Sequence, residues 1–295
     1  MHHKVHGLTE RDLISIPCSL CGSPVSAVEH RRGLFQYRRC SRCRFVFLSP
    51  RPTQAKLVEC YQRYLPDEDG DVEAWGRMMK VIFGRAADDA DRHAAGHPGD
   101  LLDVGTAHGF FLDVMRARGW RVKGLEIAKK AIAAARAKGH EVLEGTLDSN
   151  PFPPDSFDVV SAFYVVEHVF DPVDFLGRIH ALLRPGGLAI IRWPHTAPLV
   201  RFLMTLREDL DLYDPPWHLS QFEPATIGMA MKRAGFRDIH TSVGGWTLPA
   251  RPLGRAISAT GGMLAETWER LSGRSFPGVS KTTTGVKRAP GRAGS

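Results

Sequence analysis

Leu101-Leu102-Asp103-Val104-Gly105-Thr106-Ala107-His108-Gly109 is an apolar run that ends in an acid and breaks into a glycine-punctuated turn. A junction of this kind builds a pocket for a nucleoside cofactor, because glycine adopts unusual backbone angles and lets a ligand approach the main chain. Phe110 to Ala117 continues as a helix, so the unit is the first half of a doubly wound sheet. The dinucleotide pattern G-x-G-x-x-G requires glycine at 105, 107 and 110, whereas the chain has Gly105, Ala107 and Phe110. A pyrophosphate cradle is therefore poorly supported. Glycines after a buried strand are also ordinary turn formers, and the stretch alone leaves that bland reading open.

The residues downstream narrow the choice. Arg121 to Ile127 reads as a second strand with Glu126 near its end, where a carboxylate can accept hydrogen bonds from ribose hydroxyls. Glu144-Gly145-Thr146-Leu147-Asp148 stands where a third strand ends, and Val159 to Val166 is a strong apolar run leading into Glu167-His168-Val169-Phe170-Asp171-Pro172. A helix later comes Leu183-Arg184-Pro185-Gly186-Gly187-Leu188. This order resembles the class I S-adenosylmethionine-dependent methyltransferases over roughly Leu101 to Ile239, and the combination is more specific than any one piece. The resemblance implies an α/β, doubly wound, Rossmann-like sheet that binds S-adenosylmethionine. It places Asp103, Gly105, Ala107 and Gly109 around the methionine and ribose, Glu126 at the ribose, and Thr146 with Leu147 at the adenine edge. The family usually has glycine where this chain has Ala107, which adds a methyl group beside the cofactor.

Near the amino terminus, Cys18, Cys21, Cys40 and Cys43 form C-x2-C-x18-C-x2-C, the spacing of paired zinc knuckles. Four thiolates leave no open coordination position, so the implied zinc is structural, and its binding contributes to folding a segment too short for a large core. Two disulfides in an exported protein are the rival reading. No apolar signal segment is visible at the amino terminus, which favours zinc in a cytoplasmic protein. Cys60 stands alone on an expected helix and is packed rather than reactive.

The 295 residues hold one α/β domain plus a small module. The expected units are a zinc ribbon over 1–52, bounded by Pro50-Arg51-Pro52, and a helical connector over 53–98 with helices near Thr53–Tyr64 and Val72–Ala95. The cofactor-binding core follows over 99–245, with a substrate-cap insertion about 195–220. A helical extension covers 246–279, and a disordered basic tail 280–295. The net charge of +7 invites a nucleic-acid reading, but Lys281, Lys287, Arg288 and Arg292 fall in that tail, and the ribbon's Arg31, Arg32, Arg38, Arg39, Arg42 and Arg44 suit a solvated face. No apolar run approaches the roughly 20 residues needed to span a bilayer.

Ligands of open α/β sheets bind at the carboxyl ends of the strands. Tyr164, Glu167 and His168 stand there, facing the expected methyl group. Methyl transfer from a sulfonium relies largely on positioning, and a hydroxyl acceptor also needs a base. His168 suits that role through its ordinary pKa of about 6.5, with Glu167 orienting it or binding a metal or hydroxyl; a helix cap is the structural alternative for the pair. The cap offers Leu199 to Met204, Tyr213, Trp217, His195 and His218 as an apolar, aromatic cover.

The ribbon-plus-core arrangement resembles methyltransferases of sugar, polysaccharide and secondary-metabolite pathways. Among these, deoxysugar C-methyltransferases usually carry a further large domain that this sequence lacks, so O-methylation of a small molecule is favoured over C-methylation. RNA methylation with the ribbon holding the substrate, and a cofactor-binding scaffold without turnover, are the alternatives.

Overall fold

The computed structural model describes residues 8–57, 59, 72–149, 152–195, 213–273 and 280–288. Five short strands come first: β1 (Leu13–Ile14), β2 (Ser26–Arg32), β3 (Phe35–Cys40), β4 (Val46–Leu48) and β5 (Arg51–Pro52), of which β1 and β5 pair with each other. Residues 54–57 and 59 are helical, while Cys60 and the rest of the expected Thr53–Tyr64 helix lie outside the described residues. Helix α1 (Val72–His93) buries Met79, Ile82, Phe83, Ala86, Ala87 and Ala90, the three- and four-residue spacing of one helical face.

The strand after it, β6 (Asp100–Val104), is followed by α2 (Phe110–Ala117), β7 (Arg121–Glu126), α3 (Lys129–Ala137) and β8 (Glu141–Glu144). The second half supplies β9 (Phe157–Phe163), α4 (Pro172–Leu182), β10 (Leu183–Pro194), β11 (Ser220–Gln221), α5 (Pro224–Arg233), β12 (Arg237–Ser242), α6 (Pro252–Ser272) and β13 (Ser280–Val286). Asp171 starts α4, its Oδ1 accepting the backbone N–H of Val173 and Asp174, with Pro172 in the first turn where a missing N–H costs nothing. Strands β9 and β10 are apolar along most of their length because helices cover both faces of the sheet.

The seven-stranded sheet runs β12-β13-β10-β9-β6-β7-β8. Strands β8, β7, β6, β9 and β10 are parallel, and β13 is antiparallel to both of its neighbours. The chain reverses its winding between β6 and β9, which is where an open sheet of this type leaves a ligand crevice. The Pro185-Gly186-Gly187 segment lies inside β10, at a register shift between Leu183 and Leu188.

Strand β13 corrects one expectation. Residues 280–286 are not a disordered tail but the strand that joins β10 to β12, with Lys281, Thr282 and Thr283 buried. Its polar sequence hides it from a hydropathy reading, because its partners come from distant elements. The Trp193 indole N–H donates to Thr283 Oγ1 at 2.9 Å, the Arg192 guanidinium donates to Thr282 Oγ1 at 3.0 Å, and Lys281 lies 3.5 Å from Glu269. Lys287, also counted with the tail, pairs with Asp155 at 2.7 Å.

The amino-terminal ribbon is likewise less separate than its boundaries suggest. Its sheet runs β11-β4-β3-β2, so a strand that follows the cap completes it. Cys18, Leu20, Cys40, Phe45 and Phe47 share one apolar cluster with Leu102, Val160 and Phe222. The Tyr37 hydroxyl lies 2.5 Å from the carbonyls of Tyr213 and His218, and Arg39 bridges Glu29 at 2.8 Å and Glu223 at 3.2 Å.

Candidate active site and metal centre

Two residues of the β6–α2 loop flank its alanine with left-handed backbone: Gly105 at φ +71° and Gly109 at φ +75°. Gly105 has a second constraint, since a Cβ there would lie 2.6 Å from Val165 Cγ2. Ala107 adopts φ +47° without glycine's freedom, a conformation that costs an L-residue about 1–2 kcal/mol. Glu126, at the end of β7, holds the loop in that shape. Its Oε2 accepts the Ala107 N–H at 2.8 Å, and its Oε1 accepts those of Ile127 and Ala128 at 2.8 and 3.0 Å.

Asp103 is placed differently from the expectation that it surrounds the cofactor. It is buried beneath the loop, in register with Ser161 of β9, whose hydroxyl donates to Asp103 Oδ1 at 2.6 Å. Burial raises its pKa to about 7, against the hydrogen bond from Ser161 that favours the ion. Asp103 thus shapes the loop from below. Thr146 is exposed at the end of β8, while the Leu147 side chain belongs to the buried core, leaving only its main chain to face a ligand edge. Ser161 is missing from the sequence-derived site, although a lone hydroxyl in a strand as apolar as β9 was the available signal.

Across the crevice, Tyr164 follows the last residue of β9 and has φ +58°. Non-glycine residues in this region carry strain and concentrate at functional sites. The Tyr164 hydroxyl donates to Ser280 Oγ at 3.1 Å and accepts from Arg192 Nε at 3.3 Å, so it is anchored to β10 and β13. Arg192, buried, also donates to the carbonyls of Val243, Gly244 and Gly245.

Glu167 and His168 follow on the same loop. Glu167 is 1% exposed, its Oε2 has no hydrogen-bond partner, and burial raises its pKa to about 8. The His168 Nδ1–H donates to the Trp217 carbonyl at 2.9 Å, which leaves Nε2 as the acceptor nitrogen, 3.9 Å from Glu167 Oε1. Burial first, and the neighbouring His218 second, hold the His168 pKa well below the ordinary imidazole range. The expectation that His168 titrates near neutrality is therefore not met: its pKa is lowered, while that of the neighbouring Glu167 is raised.

His218, from the end of the cap, completes the cluster. Its ring centroid is 4.9 Å from that of His168, and Glu167, His168 and His218 offer one ligand atom each within 4.8 Å of one another. The Glu167 backbone carbonyl accepts the N–H of Leu219 and Ser220 at 2.7 and 3.1 Å, tying this loop to the β11 segment. His195 is buried against Trp193, with ring centroids 5.6 Å apart. Leu199 to Met204 lie outside the described residues.

The four cysteines come together as two turns facing each other. Gly22 N–H donates to the Cys18 carbonyl at 2.7 Å and Arg44 N–H to the Cys40 carbonyl at 3.0 Å, each turn closing on a left-handed residue, Gly22 at φ +74° and Arg44 at φ +66°. Sγ atoms of Cys18 and Cys43, and of Cys21 and Cys40, are 3.5 Å apart, and all four sulfurs fall within 4.8 Å. A disulfide would bring two sulfurs to about 2 Å. Four thiolates at 2.3 Å from a zinc ion stand about 3.8 Å from one another. Burial disfavours a Cys40 thiolate, yet the backbone N–H groups of Cys43 and Arg42 together with the Cys21 and Cys43 side chains bring its pKa down to about 7, while burial pushes the Cys18 and Cys43 thiols up.

A parallel sheet with its winding reversed at β6, an antiparallel penultimate strand β13 and a carboxylate-braced glycine loop define a class I S-adenosylmethionine-dependent methyltransferase. The chain belongs to the methyltransferase-domain family, whose match covers residues 78–241, more than half of its length. It is 29% identical over 164 residues to a probable S-adenosylmethionine-dependent methyltransferase of Mycolicibacterium smegmatis, covering 55% of this chain and 59% of that protein. A ubiquinone biosynthesis O-methyltransferase of Bradyrhizobium sp. is 38% identical over 96 residues, 31% of this chain and 38% of that protein. The chain thus spans about three-fifths of the length of the mycobacterial relative. Among solved structures, the Haemonchus contortus phosphoethanolamine N-methyltransferase 2 in complex with S-adenosyl-L-methionine superposes with a TM-score of 0.52 at 15% identity, covering 82% of this chain and 63% of that one. A putative methyltransferase in complex with the Haloferax volcanii Trm112 activator gives 0.51 at 21% identity, with 74% and 95% covered. These two likenesses speak to the fold.

Proposed function

We propose that this methyltransferase moves the methyl group of S-adenosylmethionine to a hydroxyl of a small-molecule, sugar-containing or secondary metabolite. The observation that carries the reading is the buried carboxyl of Glu167, its Oε2 without a hydrogen bond, beside the acceptor nitrogen of His168 and past the carboxyl end of β9. An alcohol must lose a proton as it attacks, and a carboxyl with a pKa of about 8 is well matched to take it near neutral pH. His168, held by Trp217 in one tautomer, orients the hydroxyl through Nε2; the proton comes to rest on Glu167, the stronger base of the two. When bound, S-adenosylmethionine would supply a methyl group already activated on a sulfonium sulfur, so the chain's own part is to position the hydroxyl and take its proton.

Gly105, Ala107 and Gly109 would line the methionine and ribose, and Thr146 with the Leu147 main chain the adenine edge. Glu126 keeps one of its four acceptor positions for a ribose hydroxyl, three being taken by the backbone. The cysteine cluster fits one structural zinc ion, which would fasten the ribbon to the acceptor side of the site. Substrate RNA is the weaker reading, since Arg39 and Arg38 of the ribbon are engaged with Glu29, Glu223 and Ser26.

A panel of hydroxylated metabolites incubated with methyl-deuterated S-adenosylmethionine tests the proposal. Expected is a deuterated methyl ether on one acceptor, formed at a rate that rises with pH through about 8 in the wild type and loses that limb in Glu167→Gln. Label on carbon, on nitrogen or on RNA alone refutes it.

A further inference from the structure

Past the carboxyl end of β9, three metal-ligating side chains from two distant segments converge. Glu167 and His168 are neighbours on the loop between β9 and α4, and His218 comes from the turn that leads into β11. One ligand atom of each falls within 4.8 Å of the other two, and Glu167 Oε1 lies 3.9 Å from His168 Nε2. A tetrahedral zinc with nitrogen and oxygen ligands at about 2.0–2.1 Å holds them about 3.3 Å apart, so that pair needs to close by only about half an ångström. The backbone brings the two segments together. The Glu167 carbonyl accepts the Leu219 and Ser220 N–H at 2.7 and 3.1 Å, the His218 N–H donates to the Asp214 carbonyl at 3.1 Å, and the Tyr37 hydroxyl of the ribbon lies against the His218 carbonyl.

We infer that Glu167, His168 and His218 form a second metal site, separate from the cysteine cluster, that takes a divalent transition-metal ion of the zinc, cobalt or nickel class. Two observations point past simple packing. Glu167 is 1% exposed and its Oε2 has no hydrogen bond, whereas a buried carboxyl oxygen is ordinarily satisfied by a donor or a cation. His168 donates its Nδ1–H to the Trp217 carbonyl at 2.9 Å, the outer bond that metal-ligating histidines make and that presents Nε2 as the ligand nitrogen.

The donor set chooses the ion. Imidazole nitrogens suit zinc, cobalt and nickel, whereas magnesium and calcium call for oxygen ligands. Three protein ligands leave one position open to water, which sets this site apart from the closed four-thiolate centre. The inference deepens the reading above and rests on it only for the site's place at the acceptor. A carboxylate must be deprotonated to ligate, so the ion-bound and proton-accepting states of Glu167 exclude each other.

Titration of the full chain with zinc, followed by calorimetry, and with cobalt, followed by visible absorption, tests the inference on protein whose cysteine cluster is already filled with zinc. Expected is one further equivalent per chain, with cobalt giving the bands of a nitrogen- and oxygen-ligated ion and no thiolate charge-transfer absorption. Glu167→Gln, close in shape to the wild type, and His218→Ala should each weaken that binding by roughly tenfold or more, since a lost ligand costs at least as much as a lost outer partner, while the cysteine-bound zinc is retained. Magnesium in large excess should not compete. No further equivalent in the wild type, undiminished binding in Glu167→Gln, or cobalt bands of thiolate character overturns the inference. None of these readouts needs an acceptor. An absent second ion leaves the methyl-transfer reading standing, whereas a methylation rate without the Glu167 pH limb overturns that reading and leaves the metal site.

Discussion

Replacing Glu167 by glutamine separates the charge of this carboxyl from its shape. Burial makes the carboxyl titrate at about 8 in the folded chain instead of 4.5. Below pH 4.5 both folded and unfolded chains hold the proton, and the group leaves stability untouched. Between 4.5 and 8 the unfolded chain gives the proton up while the fold keeps it, so stability falls as pH rises; above 8 the penalty is complete. At about 1.4 kcal/mol per pKa unit, that penalty is on the order of 5 kcal/mol, or roughly 10 °C in melting temperature for a chain of this size. Asp103, raised to about 7 by burial, slopes the same way, and a comparison of wild type with Glu167→Gln cancels it. Glutamine brings an amide N–H2 without an acceptor, a pH-independent cost of about 1–3 kcal/mol. The expected result of calorimetric melts is a variant no more stable than wild type at pH 5 and clearly more stable at pH 9. Two melting curves that keep a constant separation across that range refute the buried, protonated carboxyl and the proton-acceptor role built on it.

Glu126→Ala removes the brace of the glycine loop and a charge-assisted ribose contact, and should weaken S-adenosylmethionine binding by about 1.5–3 kcal/mol in titration calorimetry; unchanged affinity takes Glu126 out of the site. Ala107→Gly relieves a left-handed alanine and should stabilise the chain by about 1 kcal/mol, raising the melting temperature by a few degrees; a fall in melting temperature would show the loop to be unstrained. Purified protein should carry about one zinc per chain by metal analysis, and Cys40→Ser should release it. Because the cysteines share a core with β6 and β9, that variant should lower a single cooperative transition rather than melt the ribbon alone.

The cofactor half of the site was legible because it is local. Val104 through Gly109 writes strand, turn and helix into consecutive residues, and the helix Phe110–Ala117 and strand Arg121–Glu126 fall where the periodicity puts them. The cysteine pairs were legible for the same reason, each pair being one turn. Ala107 showed as a departure from glycine in the sequence, but its consequence, a left-handed backbone held by the Glu126 carboxylate, depends on a residue from the next strand.

The acceptor half is assembled from segments far apart in the chain, and hydropathy carries no record of such partners. Glu167 and His168 were visible as titratable residues at a strand end; that burial raises the pKa of one and lowers that of the other follows from the chain packed around them, including Trp217 and His218 arriving from the end of the cap. Strand β13 makes the same point for the fold. Lys281, Thr282 and Thr283 have the composition of a solvated tail, and only the side chains of Arg192, Trp193 and Glu269 closing around them make burial favourable. Sequence by itself determined the elements whose stabilising contacts lie within a turn or a strand–turn–helix unit. Tertiary structure decided the union of ribbon and sheet and the seventh strand, because polar groups such as those of Lys281, Thr282 and Thr283 are buried only where distant residues bring them partners, and it decided the direction in which burial shifts Glu167 and His168.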